Sequence, residues 1–173
     1  VGFIRNNQEE KAILKAFSPK KMPLRSKFNV TDTCFRMIGK EIAYINNGSV
    51  KNEYLPKLWE EIKNTRGLII DDRNYPSDFV IYDLSRYLMP VSTPFVKFST
   101  GSITTPGLFT FTQVMNVGEK NKDCYKGKII ILVNEVSQSS AEYHAMAYKA
   151  HPNALVMGST TAGADGNVSE IHL

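Results

Sequence analysis

The sequence lacks any uninterrupted apolar run approaching the roughly 20 residues that a membrane-spanning helix requires. Its first residues also lack the basic and apolar zones of a secretory signal peptide. Positive charge is not concentrated either: 21 Lys and Arg oppose 17 Asp and Glu, and only short clusters such as Lys20 with Lys21 occur. Scattered charge of this kind is typical of a solvated surface. We therefore expect neither a membrane span nor a nucleic-acid partner for this chain.

Cysteine is scarce, with only Cys34 and Cys124 in 173 residues. The two residues are far apart in sequence and do not have the spacing of metal ligands. Two buried thiols, one disulfide or two unrelated thiols are all compatible with this pattern. The buried alternative is favoured because a free cysteine usually behaves as a small core hydrophobe. Nothing in the sequence suggests a metal ion or an organic cofactor.

The length and the hydrophobic content predict one domain. A chain of 173 residues with 42% hydrophobic side chains can bury a single substantial core. The chain starts at Val1 and stops inside the strand-like segment 168–173, so we expect flanking sequence on both sides. We interpret residues 1–30, which begin with a short strand over 1–5, as a linker or the tail of a preceding module. Residues 31–173 then form the main domain, truncated at both ends.

The apolar pattern predicts repeated strand-loop-helix units from residue 35 onward. Two short apolar runs separated by Gly39 predict a hairpin, and apolar residues at three- and four-residue spacing predict helices. The fully apolar run 128–133 is typical of a central strand in a parallel sheet. We predict strands at 35–38, 42–45, 68–70, 128–133 and 154–157, helices at 54–62, 81–88 and 141–150, and an insertion with strands at 95–98 and 108–111. This order favours an α/β fold with a largely parallel sheet.

The loop after the strand 128–133 is rich in serine. Residues 134–142 read Asn-Glu-Val-Ser-Gln-Ser-Ser-Ala-Glu, so a serine hydroxyl lies where the strand turns into a helix. Backbone N–H groups at the start of a helix stabilise a developing anion, which is what a tetrahedral oxyanion requires. The alternative is that Ser137, Ser139 and Ser140 only cap the helix, with Glu142 as the matching acid of the first turn. Considered alone, this loop favours capping.

A second polar loop follows the strand 68–70. Residues 71–78 read Asp-Asp-Arg-Asn-Tyr-Pro-Ser-Asp. In open α/β sheets the chemistry gathers in loops that leave the carboxyl ends of the strands. This loop is therefore a candidate source of a second N–H donor. Considered alone, it is also explained as a helix start capped by Ser77 or Asp78.

Together, three ordered segments resemble the C-terminal processing peptidases, also called tail-specific proteases. Residues 68–78 are similar to that family's apolar strand followed by Asp-x-Arg-x-x-x-Gly-Gly. Residues 131–142 are similar to its Val-Leu-Val-Asn strand and Ser-x-Ser-x-x-Glu turn, and residues 154–163 to its Val-Val-Gly-x-x-Thr-x-Gly. The resemblance covers about residues 40–90 and 127–173. It implies a crotonase-like fold of the ClpP/crotonase type.

The resemblance also implies the chemistry of a serine peptidase. Ser139 falls on the nucleophile, which would attack a peptide carbonyl and form an acyl-enzyme. The oxyanion hole would combine the N–H of Ser140 with an N–H from Ser77 or Asp78. The implied partner is a polypeptide substrate, without cofactor or metal. Because relatives generally act outside the cytoplasm, an extracytoplasmic location, periplasmic or secreted, is implied as well, whereas the oligomeric state cannot be read from the sequence.

Two positions depart from the family pattern. Many members place a Lys general base directly after the Thr-x-Gly segment, but this chain has Ala164 there, so a lysine dyad cannot operate. The chain then resembles the branch of tricorn protease, in which an upstream His and a downstream Glu would both lie outside this chain. The oxyanion loop has Ser77 and Asp78 in place of Gly-Gly, and a carboxylate beside an oxyanion would oppose its charge. Within the chain, His144 lies one turn beyond Ser140 and is interpreted as a packing or surface residue.

The sequence therefore predicts the core of a serine endopeptidase. The alternative is a catalytically inactive protein of the same fold that binds peptides or other ligands, because the lysine is missing and the Gly-Gly is altered. A crotonase-type acyl-CoA enzyme shares the fold and the oxyanion logic. Such an enzyme, however, has no reason to contain the Ser-x-Ser-x-x-Glu turn.

Overall fold

The structure, a computed structural model, describes residues 2–13 and 33–166, with the side chain of Phe3 excepted. Within these ranges the strands, in chain order, are β1 (Gly2–Arg5), β2 (Gln8–Lys11), β3 (Phe35–Ile38), β4 (Ile42–Asn46), β5 (Gly67–Asp71), β6 (Thr93–Val96), β7 (Ser99–Gly101), β8 (Phe109–Phe111), β9 (Met115–Val117), β10 (Lys128–Val133) and β11 (Ala154–Gly158). The α-helices are α1 (Leu55–Ile62), α2 (Ile81–Leu88) and α3 (Ser140–Lys149).

Five strands form the central sheet in the order β11-β10-β5-β4-β3. β4, β5, β10 and β11 are mutually parallel, and β3 adds to one edge as the antiparallel arm of a hairpin with β4. Helices follow β4, β5 and β10 in the chain, as the predicted strand-loop-helix units require. The prediction of a mixed α/β fold with a largely parallel sheet is confirmed.

One face of the sheet is buried against the three helices. Along β10 the side chains of Ile129 and Ile131 are fully buried, and those between them are partly exposed, which is the period-two alternation of a strand. Helix α1 brings Leu55, Leu58 and Ile62 to the same core at three- and four-residue spacing. The core therefore lies directly beneath the loops that leave the carboxyl ends of β4, β5 and β10.

The insertion between α2 and β10 differs in detail from its prediction. It contains two antiparallel pairs, β6 with β9 and β7 with β8. The strand predicted at 95–98 begins two residues earlier as β6, and the segment predicted at 108–111 contains β8. The strands β7 and β9 were missed because each has only three residues, too few to show a period-two pattern.

The strand predicted over residues 1–5 contains β1, but β1 also has a partner that the sequence did not reveal. β2 is composed of Gln, Glu and Lys, without the apolar alternation of a typical strand. The turn between the two strands is made by Asn6 and Asn7, both with positive φ, which asparagine tolerates well. The linker prediction at 14–30 and the strand-like segment 168–173 lie outside the described residues.

Both cysteines are free thiols, with Cys124 buried and Cys34 half-buried. The favoured buried alternative therefore holds fully for Cys124 and partly for Cys34. No helix within the described parts of the chain combines the length and the apolar character needed to cross a membrane.

Gly158 ends β11 where the strand lies opposite Val133, the last residue of β10. Its φ is +139°, and a Cβ built on it would lie 1.8 Å from the carbonyl oxygen of Val133. That oxygen belongs to the backbone, which cannot rotate away as a flexible side chain would. Gly158 thus allows β10 and β11 to approach closely just before the serine-rich loop begins.

We predict that Gly158→Ala lowers the free energy of unfolding by about 2 to 5 kcal/mol, because it adds a backbone clash to an unfavourable φ. Gly39→Ala is the matched control: Gly39 also has positive φ, but a Cβ there meets no atom within 4 Å. The control should cost only about 1 kcal/mol. Urea unfolding of both variants measures the difference, and equal losses would contradict the steric explanation.

Candidate active site

Ser139 lies at the turn between β10 and α3, as predicted, in the position just before the first residue of the helix. Its backbone has φ 51° and ψ −119°, whereas a helix-capping residue normally has extended dihedrals. Among the described residues, the other non-glycine residues with positive φ are Asn6 and Asn7, which form a hairpin turn. A serine held in such a conformation costs about 1–3 kcal/mol and persists only where the surroundings impose it.

Glu142 imposes much of this conformation. Its carboxylate, 8% exposed, accepts four hydrogen bonds: from Ser139 N (3.0 Å), Thr161 Oγ1 (2.6 Å), Gly163 N (2.8 Å) and Ala164 N (2.9 Å). Burial raises the pKa of Glu142, but the hydrogen bonds from Thr161 and the three backbone groups outweigh burial and hold the pKa below its usual value. The side chain is therefore ionised and links the serine turn to the loop after β11 by hydrogen bonds.

The predicted capping role and the strained turn thus coexist. Glu142 accepts from the backbone N–H of Ser139 in the manner of a capping box, as expected for the first-turn acid. The same N–H also donates to the carbonyl oxygen of Ala164 at 3.1 Å. Ala164, which stands where many family members have lysine, contributes only backbone atoms to these contacts.

The two predicted loops are in direct contact. The Ser137 hydroxyl, fully buried, donates to the carbonyl oxygen of Asp72 at 2.8 Å. The ring of Phe79, which follows Asp78, lies 5.8 Å from the ring of Tyr143 and 5.3 Å from that of His144, both on α3. The structure therefore brings the end of the second loop against the first turns of the helix that Ser139 begins.

The predicted N–H donors are not equivalent. The N–H of Ser77 already donates to the carbonyl oxygen of Asn47 at 2.9 Å. The N–H groups of Ser140 and Asp78 make no hydrogen bond within the described ranges 2–13 and 33–166. Of the Ser77–Asp78 pair, Asp78 is consequently the residue whose N–H is free to bind another acceptor.

The Asp78 carboxylate has partners of its own. One oxygen accepts from the backbone N–H and the side-chain amide of Asn52, at 3.0 and 3.1 Å, and the other accepts from the N–H of Phe79. The backbone hydrogen bonds from Asn52 and then Phe79 lower the pKa of Asp78. These bonds disperse the negative charge over fixed donors, which weakens the repulsion that an oxyanion nearby would meet.

The Asp-x-Arg motif forms the base of the second loop. The buried Asp71 accepts two side-chain hydrogen bonds from Arg73, at 2.9 and 2.7 Å, and one of 2.6 Å from the Tyr44 hydroxyl. Burial raises the pKa of Asp71, but the bonds from Arg73 and Tyr44 lower it further than burial raises it. This bidentate pair fixes the direction in which the chain leaves β5.

His144 is a packing residue, in agreement with its interpretation from the sequence. It is fully buried between Phe79 and Tyr148, and its Nδ1 lies 2.6 Å from the carbonyl oxygen of Ser140. Burial lowers the pKa of His144 to about 4, so the imidazole is neutral at pH 7 and weakly basic. Its full burial and its weak basicity make it a poor proton acceptor for Ser139.

Several residues around the site were not predicted from the sequence. The amide of Asn47 and the side chains of Asp72 and Tyr148 are buried beneath the two loops, and Thr161 binds Glu142. Thr161 could have been found, because it belongs to the Thr-x-Gly segment. Across residues 2–13 and 33–166, no group of three or more His, Cys, Asp or Glu side chains is placed to hold a metal ion.

The fold is a mixed α/β core with a largely parallel sheet, and the candidate site lies at the carboxyl ends of the parallel strands. The model of peptidase family S41 matches residues 41–173. The chain therefore belongs to peptidase family S41, and the resemblance to the C-terminal processing peptidases is confirmed. Among curated protein sequences, none matches this chain significantly.

Three solved structures share the fold. A candidate peptidase from Parabacteroides merdae ATCC 43184 is 22% identical with a TM-score of 0.55, over 76% of this chain and 44% of that one. Mature CPAF complexed with lactacystin is 15% identical with a TM-score of 0.58, over 76% and 40%. The photosystem II D1 C-terminal processing protease is 17% identical with a TM-score of 0.52, over 71% and 31%. The chain thus spans less than half the length of each of these proteins.

We predict that Glu142→Gln lowers the free energy of unfolding by about 2 to 3 kcal/mol at pH 7, because an amide nitrogen cannot accept the hydrogen bonds that the carboxylate accepts. The folded pKa of Glu142 lies below the unfolded value of about 4.3. The contribution of Glu142 to the free energy of unfolding is therefore complete above the unfolded pKa and is lost as pH falls through the folded pKa.

Urea unfolding of the wild type and of Glu142→Gln between pH 3 and 7 checks both statements. Glu60→Gln is the control, because the Glu60 side chain is exposed and forms a surface ion pair with Lys63. The control should change stability by less than about 1 kcal/mol. If the difference in free energy of unfolding between the wild type and Glu142→Gln stays constant down to pH 3, the hydrogen bonds do not depend on an ionised Glu142.

Proposed function

We propose that this chain is the catalytic core of a serine endopeptidase with Ser139 as nucleophile. The observation that carries the proposal is the positive φ of Ser139 at a strand-to-helix turn. A strained turn of this kind presents a nucleophilic hydroxyl at the start of a helix, where backbone N–H groups face the reacting carbonyl. Membership in a peptidase family makes a peptide bond the expected target. A crotonase-like arrangement of the whole core belongs to the same proposal.

The proposed reaction proceeds through an acyl-enzyme. The Ser139 hydroxyl attacks the peptide carbonyl carbon while a base accepts its proton, and the carbonyl oxygen becomes an oxyanion. The N–H groups of Ser140 and Asp78 bind that oxyanion. The amine leaves with the proton, and water then hydrolyses the ester. Loss of one such donor typically reduces transition-state stabilisation by about 2.7 to 4 kcal/mol.

The general base is proposed to come from outside the described residues. Ala164 excludes a lysine at the position that many family members use, and His144 is buried with a lowered pKa. A histidine contributed by sequence upstream, supported by a downstream glutamate, fits the tricorn-like branch that the sequence resembles. An extracytoplasmic location remains part of the same proposal.

We predict that the intact protein forms one covalent adduct with a fluorophosphonate probe, because this probe reacts with activated serine hydroxyls. Ser139→Ala should abolish the adduct. Ser140→Ala is the matched control: it removes the neighbouring hydroxyl but keeps the backbone N–H, so labelling should persist. Intact-mass spectrometry measures all three proteins under identical conditions.

Two outcomes would contradict the proposal. An adduct that survives in Ser139→Ala would show that another residue reacts. The absence of an adduct, under conditions that label a related active peptidase, would favour an inactive binding protein in which Ser139 only begins the helix.

A further inference from the structure

Three polar side chains are buried together beneath the candidate site. Asp72 directly after β5, Asn47 after β4 and Tyr148 on α3 are each fully buried. The amide nitrogen of Asn47 donates to Oδ1 of Asp72. Oδ2 of Asp72, Oδ1 of Asn47 and the Tyr148 hydroxyl make no hydrogen bond with any of the described residues. Buried polar atoms are rarely left without a partner, so these three call for an explanation.

The surroundings of Asp72 disfavour its ionised form, because the neighbouring Asp71 is already a charged carboxylate. Asp71, which precedes Asp72 in the chain, is ionised, and the guanidinium of Arg73 already donates to Asp71 through Nε and Nη2. Tyr148 on α3 and Asn47 after β4 are neutral, and the carbonyl oxygen of Leu132 on β10 accepts the backbone N–H of Asp72. Burial raises the pKa of Asp72 to about 8; the hydrogen bond from Asn47 opposes this rise, and the charge of Asp71 adds to it. A buried carboxylate with one hydrogen bond and no cation would be costly.

We propose that Asp72 is a positioning residue that acts as a neutral carboxylic acid paired with the amide of Asn47. In this pair the amide nitrogen of Asn47 donates to Oδ1 of Asp72, and a proton on Oδ2 of Asp72 is donated to Oδ1 of Asn47. One proton thereby gives a partner to two of the three unpaired atoms. The pair is closed on itself and needs no counter-ion, which suits two fully buried side chains.

The acid–amide pair connects directly to both loops of the candidate site. The carbonyl oxygen of Asn47 accepts the N–H of Ser77, next to the free N–H of Asp78. The carbonyl oxygen of Asp72 accepts the hydroxyl of Ser137, two residues before Ser139. A shift of either member of the pair would therefore move the Asp78 donor relative to Ser139. This positioning role rests on the proposed function, whereas the protonation of Asp72 does not.

The pair makes stability depend on pH in a defined direction. The folded pKa of about 8 is raised above the unfolded value of about 3.9, so the folded state binds the extra proton. The contribution of Asp72 to the free energy of unfolding is complete below its unfolded pKa and is lost as pH rises through its folded pKa. Between these two pKa values the unfolding equilibrium constant should increase about tenfold per pH unit, relative to a variant that cannot ionise at this position.

Asp72→Asn is that variant, because an asparagine can form the same two-bond ring with Asn47 without a titratable proton. Asp72→Ala removes the ring and leaves the amide of Asn47 unpaired. Asp83→Asn, at an exposed carboxylate of α2, is the surface control. In the intact protein we would measure urea unfolding from pH 5 to 9, the ¹³Cγ shift of Asp72 by NMR, and the fluorophosphonate labelling rate over the same range.

We expect Asp72 to titrate near pH 8 and Asp72→Asn to remove the decline in stability, while Asp72→Ala is destabilised at every pH. The labelling rate of the wild type, relative to Asp72→Asn, should fall up to about tenfold per pH unit above 8. An ionised Asp72 at pH 6, or an Asp72→Asn variant as unstable as Asp72→Ala, would overturn the acid–amide pair.

The remaining outcomes separate the two proposals. If Asp72 titrates near pH 8 but the ratio of the wild-type labelling rate to that of Asp72→Asn is flat above pH 8, the positioning role of Asp72 is overturned. If Asp72 titrates near pH 8 and no protein is labelled, the acid–amide pair is supported and Ser139 is not an activated nucleophile.

Discussion

The hydrogen bonds of one carboxylate hold the candidate site together. Glu142 binds the N–H of Ser139 on its own helix and three donors of the loop after β11. Without these bonds, a serine with positive φ would relax towards an ordinary capping conformation, and the loop after β11 would lose its attachment. The carboxylate can do this because its oxygens accept hydrogen bonds without needing to donate any. Strain at Ser139 and ionisation of Glu142 are thus two aspects of one arrangement.

The sheet supplies the rigid frame for this arrangement. β5 and β10 are adjacent and parallel, so the loops that follow them leave at the same edge. Gly158 lets β11 approach the end of β10, which places the Thr161–Ala164 loop within reach of Glu142. Each loop is therefore held by backbone geometry at its base and by side-chain hydrogen bonds near its tip.

The main helices and the central strands were predictable because their apolar patterns are long enough to be distinctive. α2 matches its predicted range of 81–88, and β10 matches 128–133. The three-residue strands β7 and β9 and the polar β2 were missed, since their pairing depends on the rest of the fold rather than on local pattern. For the site, the position of Ser139 at the strand-to-helix turn was predictable. Which N–H of the Ser77–Asp78 segment stays free was not, because it depends on the partner Asn47, 30 residues away.

The contact between Ala164 and the serine turn has a consequence for substitutions at that position. Ala164 binds the turn through its N–H and its carbonyl oxygen, so its side chain takes no part in these bonds. Substitution at this position can therefore change which chemical groups lie beside Ser139 without loosening the turn that holds it. The choice of side chain at position 164 is in this way separated from the shape of the turn. Residues of different chemistry can stand at position 164 while the turn keeps its hydrogen bonds.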